Sequence, residues 1–171
     1  MRYGLVRVRR DPSALATLAG VVALLTGTLA YLTLRTGGAA IFPIGLGLYA
    51  PDPVAGSLPA FVHTFAFALL SAVAIGLDRR SLAWCAGAWA LVGSAFELLQ
   101  HERVAAALIP HPATLAPDGA GSAALALLAR YAHLGVFDVF DLAATALGAF
   151  AAWRLGVTML ERNGRASGSS A

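Results

Sequence analysis

Residues Ala14 to Leu34 form 21 consecutive positions without one charged side chain. At about 1.5 Å of rise per residue, a helix of that length covers about 30 Å, the thickness of a bilayer's hydrocarbon core. No water is present there to satisfy backbone N–H and C=O groups, so such a run is stable as a helix, whose peptide groups bond one another. Three further stretches fit the same description: about Pro59 to Leu77, about Leu82 to Gln100, and Val136 to about Trp153 or beyond, with Arg154 placed to snorkel toward water. In a chain of 171 residues, 58% hydrophobic and 12% charged, this pattern points away from a single water-soluble core. The expected fold is an all-α integral membrane protein, a four-helix transmembrane bundle.

The first run has features of a secretory signal. Arg7, Arg9 and Arg10 resemble its basic start, and Gly38-Ala39-Ala40 its small-residue cleavage site. The apolar part nevertheless exceeds the roughly 7 to 15 residues of a signal's hydrophobic region, which predicts an uncleaved first helix. All 12 cations are arginine, and their placement is asymmetric. Arg2, Arg7, Arg9, Arg10, Arg79, Arg80, Arg154, Arg162 and Arg165 fall on one side of the four runs; Arg35, Arg103 and Arg130 fall on the other. The positive-inside bias then predicts that both termini and the short link at Arg79-Arg80 are cytoplasmic. With the arginines mostly at helix ends, the net charge of +3 is no argument for nucleic acid, and no nucleic-acid partner is expected.

The domain plan is a basic N-terminus over 1–13, the bundle over 14–160, and a disordered tail over 163–171 (NGRASGSSA). The connection over 35–58 is rich in proline and glycine, and its apolar patch Ile41 to Ala50 is too short to span. Residues Ala120 to Leu134 read equally as an interfacial helix, a re-entrant piece or an early start to the fourth helix. Cys85, the only cysteine, lies within an apolar run, so no intramolecular disulfide and no thiol-based metal site is available.

Polar residues gather at one depth. With the predicted orientation, His63 lies near the outer end of the second helix, Glu97, Gln100 and His101 near that of the third, and Asp138 and Asp141 at the start of the fourth. On the third helix Gly87, Ala90, Ser94, Glu97 and His101 recur every three or four residues as one small, polar stripe. Asp138, Asp141, Thr145, Gly148 and Ala152 do the same on the fourth. Small residues let transmembrane helices approach closely, so the two acidic stripes are expected to face each other. A carboxylate costs about 2.5–3.5 kcal/mol at the bilayer centre and much less near its edge. Asp138 and Glu102 are therefore equally explained as interfacial residues, whereas Glu97 and Asp141 lie deeper and on the small-residue stripes. Glu97, Asp141 and His63 are the candidate catalytic groups; Gln100, His101, Asp138, Arg130 and Arg103 are the candidate binding groups. Glu97, His101 and Asp141 are acceptable metal ligands by type, but no motif fixes such a site, and neither metal nor cofactor is predicted. No GxSxG elbow, P-loop or HExxH pattern is present.

Three segments carry a family resemblance. Phe61-Val62-His63-Thr64-Phe65-Ala66-Phe67 resembles the start of the second helix of VanZ-like membrane proteins. Phe96-Glu97-Leu98-Leu99-Gln100 resembles their Glu-x-x-Gln signature closing the third helix. Phe137-Asp138-Val139-Phe140-Asp141-Leu142, with Gly148 seven residues after Asp141, resembles their paired aspartates opening the fourth. The likeness covers roughly residues 10 to 160. Thr145 stands where the family pattern usually has asparagine, and Gly135 where it commonly has arginine, Arg130 being the nearest candidate. The resemblance implies a small multi-pass protein of the bacterial plasma membrane, in a family named for low-level resistance to the glycopeptide teicoplanin.

Several functions fit these residues. The leading one is an outer-leaflet site for a membrane lipid headgroup or a cell-envelope precursor. A membrane enzyme would use Glu97 or Asp141 as acid or base, with His63 in the complementary role. An assembly protein would use the polar pairs as interhelical glue for another membrane protein, at about 0.6 kcal/mol per contact. Proton-coupled transport fits less well, because the acids cluster in one leaflet.

Overall fold

A computed structural model describes residues 11–34, 52–109, 120–134 and 136–168. Among them there is no strand, and the helices follow in the order α1 (Pro12–Leu34), α2 (Asp52–Ile75), α3 (Arg79–Leu99), α4 (Glu102–Leu108), α5 (Ala120–Leu134) and α6 (Val139–Gly168). Four of them are long and apolar enough to cross a membrane, over Pro12–Ala30, Ser57–Ile75, Arg79–Leu99 and Val139–Arg165. The apolar patch Ile41 to Ala50 lies outside the described residues, as do Gly135 and the arginines at 2, 7, 9, 10 and 35.

Helix boundaries follow local chemistry more than hydropathy. The Asp11 carboxylate accepts the Ser13 N–H at 2.9 Å, and Pro12 takes the first helical position, where its missing N–H costs nothing. α2 begins at Asp52, seven residues before the expected start, and runs through Pro59. Pro59 stands inside the helix and withholds one backbone hydrogen bond. The turn into α3 uses Gly76 at φ 104, a left-handed conformation without cost to glycine. Asp78 then closes a reciprocal capping box with Ser81, so Arg79 and Arg80 form the first turn of α3 rather than a loop. The Ser81 N–H bond also holds the Asp78 carboxyl below its usual pKa.

One expectation requires correction. α6 continues to Gly168, so 163–168, read from composition as disordered, is helical. Propagating an existing helix needs one hydrogen bond per residue and no new nucleus, which lets a polar segment follow an apolar one. Of the three readings open for Ala120 to Leu134, an early start to the fourth spanning helix is removed, because Val136, Phe137 and Asp138 are not helical and α5 is a separate helix.

α2 lies centrally, packed on α1, α3 and α6, while α3 also packs on α6. The core is built largely of small residues: Ala16, Ala68, Ala72, Ala86, Ala149 and Ala152 surround Leu69 and Leu82. A Cβ added at Gly148 would run into the backbone carbonyl oxygen of Phe61, so α2 and α6 touch backbone to backbone at that point. Large apolar side chains point outward instead, among them Leu25, Trp84, Leu91, Leu147 and Phe150. This inverts the distribution of a soluble bundle, and contiguous apolar surface on that scale calls for a covering. α4 and α5 form a smaller cluster of Ala105, Ile109, Ala129 and Ala132 at the end where α3 finishes.

Candidate functional site

The seam between α3 and α6 fixes the site. Gly93 meets Thr145, Glu97 and Asp141 lie close enough for each to feel the other's charge, and the His101 and Phe137 rings meet at a steep angle with centroids 5.3 Å apart. Each step climbs four residues along α3 and the turn after it and descends four along α6 and the residues just before it, the register of two antiparallel segments in close contact. Gly93 makes the approach possible, since a Cβ there would stand 2.9 Å from Thr145 Cγ2. Thr145 is 1% exposed and fills the seam one turn deeper than the acids.

Glu97 is the centre of this arrangement. It is half-buried, its carboxylate accepts the backbone N–H of Asp138, and the charges acting on it are those of Asp141 and Asp138. Its Oε2 is buried with no hydrogen-bond partner among the described residues, and the same holds for His101 Nδ1 and for Ser57 Oγ on α2. Buried polar atoms in folded proteins are overwhelmingly hydrogen-bonded, and each exception points to strain, water or a ligand. Asp138 has a second task as the cap of α6: its Oδ1 accepts the Phe140 N–H at 2.8 Å.

The break after α3 shapes the mouth of the site. α3 ends at Leu99, the chain bends at Gln100 and His101, and α4 starts at Glu102. Gln100, His101, Glu102, Arg103, Val136 and Phe137 line an open groove of about 540 Å³ at the end of α3, and Glu97, Asp138 and Asp141 are not among its lining residues. α5 reaches the end of α3 through Tyr131, whose ring meets that of Phe96 in a T-shaped contact at 5.6 Å and whose hydroxyl oxygen accepts the Gln100 side-chain N–H. Glu97 and Asp141 act on the Tyr131 phenol by charge, while burial is the main influence holding it above its ordinary pKa. It is a neutral hydroxyl at pH 7, with its own hydrogen still to donate.

The other sequence candidates divide. Arg103 is exposed on the groove, and Arg130 is exposed on α5 beside Tyr131. His63 is not brought to the acids: its ring stacks on Phe67 at 5.9 Å, and Phe67 stacks in turn on Trp89 at 4.8 Å. Since Thr64 adjoins Gly93, this places His63 about one turn deeper than Glu97. Gly87 is exposed, with open space where a Cβ would stand, whereas Gly93 abuts Thr145. Among the described residues no three His, Cys, Asp or Glu side chains converge closely enough to hold a metal ion.

Sequence reading missed Tyr131 and Ser57. Tyr131 belongs to a helix whose relation to the bundle has no periodic signature, and Ser57 precedes the proline taken as the start of the second helix. The acids, by contrast, announce themselves by interrupting apolar runs. Comparison of the chain with models of known protein families, with curated proteins and with solved structures returned no match.

Proposed function

We propose that this chain is a multi-pass protein of the bacterial plasma membrane, a divergent relative of the VanZ-like family, with both termini cytoplasmic. Its acid-lined site would then open in the outer leaflet and bind a lipid headgroup or the polar end of a cell-envelope precursor. One observation carries this reading: a buried carboxylate oxygen of Glu97 with no hydrogen-bond partner among the described residues, within reach of the Asp141 charge near the ends of two apolar helices. Ionisable groups inside a membrane protein are expensive to place and mark binding or transport sites by default. The arginine asymmetry supports the orientation, and the outward apolar belt supports the membrane.

The test is native mass spectrometry of the protein gently extracted from its own membranes, beside Glu97→Ala and Asp141→Ala variants. A defined lipid or polyprenyl species present on the native protein and lost from both variants is the expected result. An identical lipid background on all three would defeat the reading and leave the acids as interhelical glue.

A further inference from the structure

The chain between α3 and α6 leaves and rejoins the bundle at one end, because α3 finishes where α6 starts. Within it α5 has 15 residues and is about 22 Å long, short of a hydrocarbon core of about 30 Å. Among the described residues α5 packs chiefly on α4 rather than on the spanning helices. Ala129 and Ala132 meet Ala105 and Ile109 across that contact, and His133 Nε2 donates to the Ile109 carbonyl oxygen at 3.1 Å. The other side of α5 is uncovered. Ala123, Leu127 and Tyr131 recur at every fourth position and all are exposed, Leu127 by 71%. Arg130, also exposed, borders this face about one turn after Leu127.

Resting on the membrane placement proposed above, we infer that α4 and α5 form an interfacial platform, lying in the headgroup–acyl boundary of the leaflet that receives the end of α3, with the Ala123–Leu127–Tyr131 face turned into lipid. The occupant of that face is the bilayer, because the face is continuous with the outward apolar surface of a spanning helix. Tyr131 makes its T-shaped ring contact with Phe96, which is exposed on α3 alongside Leu98 and Leu91. Lipid that covers Phe96 therefore reaches Tyr131 and, one turn further along α5, Leu127. The residue types agree with that depth. Tyrosine combines an apolar body with a polar tip and gathers where membrane meets water, and an arginine at the edge of such a face extends its head to phosphate and water. An amphipathic helix held in this way sinks its apolar face about 5–10 Å into the boundary. Glu102 and Arg103 of α4 line the groove at the end of α3, so the platform holds the mouth of that groove at headgroup depth.

Depth-dependent fluorescence quenching tests this on the full-length protein in phosphatidylcholine vesicles. In a Cys85→Ser background, Leu127→Cys, Ala123→Cys and Leu91→Cys each carry an environment-sensitive fluorophore. The quenchers are lipids with a nitroxide high on the acyl chain, lipids with a nitroxide near its end, and iodide in the water. Leu91, exposed near the middle of α3, reports the membrane placement separately from the platform. The labels on α5 should lose more emission to the shallow nitroxide than to the deep one, and the label at Leu91 should do the reverse. Both α5 positions are exposed, and Ala123→Cys answers the question where Leu127→Cys fails to fold. Quenching of both α5 labels by iodide alone, with Leu91 quenched by lipid, overturns the platform and leaves the membrane placement standing. Stronger quenching of the α5 labels by the deep nitroxide overturns it in favour of a re-entrant helix. Shielding from nitroxide and iodide alike overturns lipid as the occupant in favour of a covering protein, such as a second copy of this chain. A Leu91 label that responds to no nitroxide overturns the membrane placement itself.

Discussion

Gly148→Ala tests the closest contact in the bundle. The new methyl group would overlap the carbonyl oxygen of Phe61 and sit 3.1 Å from its carbonyl carbon and 3.2 Å from its Cα. None of those atoms belongs to a rotatable side chain, so α2 and α6 must separate. Overpacking costs about 1–3 kcal/mol, and a backbone obstacle places this case at the upper end. Alanine recovers about 1 kcal/mol through its better helix propensity, leaving a net loss of about 2 kcal/mol. Gly87→Ala is the internal control: a Cβ there meets nothing within 4 Å, so only the propensity gain remains, between zero and about 1 kcal/mol. Reversible unfolding by SDS titration in mixed micelles reads both. A Gly148→Ala variant as stable as the native chain would refute the backbone contact and, with it, the packing that carries Asp141 to the seam.

Further outcomes follow from single contacts. Ser71→Ala should cost about 1–3 kcal/mol in the same titration, because it strips the Trp89 indole N–H of its acceptor at 3.0 Å. Tyr131→Phe removes the acceptor of the Gln100 amide and should speed amide exchange across α5 without altering exchange in α2. Asp78 has a depressed pKa in the folded chain, so its capping contribution is complete above about pH 4 and lost as pH falls below it. Asp78→Asn should therefore flatten the acid limb of a stability-against-pH curve. The Arg79–Glu161 pair, 2.7 Å apart but 68% and 42% exposed, should show a coupling of about 0.5 kcal/mol or less in a double-mutant cycle.

The parts legible in the sequence share a physical cause. The apolar runs were visible because lipid permits few alternatives to a helix, and Glu97 and Asp141 stood out because lipid tolerates few charges. The α6 stripe of Asp141, Thr145, Gly148 and Ala152 is the buried face of that helix, except that Asp141 is only half-buried. On α3 the same periodicity includes Gly87, Ala90, Ser94, Glu97 and His101 and leaves out Gly93. Helical phase gives a direction good to about one residue's rotation, and both glycines lie near the stripe, but only contact with Thr145 distinguishes them. His63 was placed with the acids by depth alone, and depth says nothing about facing; aromatic stacking on Phe67 decides its environment. Tyr131 reaches the site from a helix distant in sequence, a relation that no local pattern encodes.

The proposed ligand site depends on Glu97 and Asp141 meeting across the α3–α6 seam, and oxidative cross-linking in native membranes measures that directly. In a Cys85→Ser background, the pair Glu97→Cys with Asp141→Cys should form an intramolecular disulfide on mild oxidation, because disulfides require Cα atoms within about 7 Å and facing side chains. The pair Ala90→Cys with Asp141→Cys, two turns out of register, should not. Cross-linking of the out-of-register pair, or of neither while both variants fold, would contradict the seam and the site built on it.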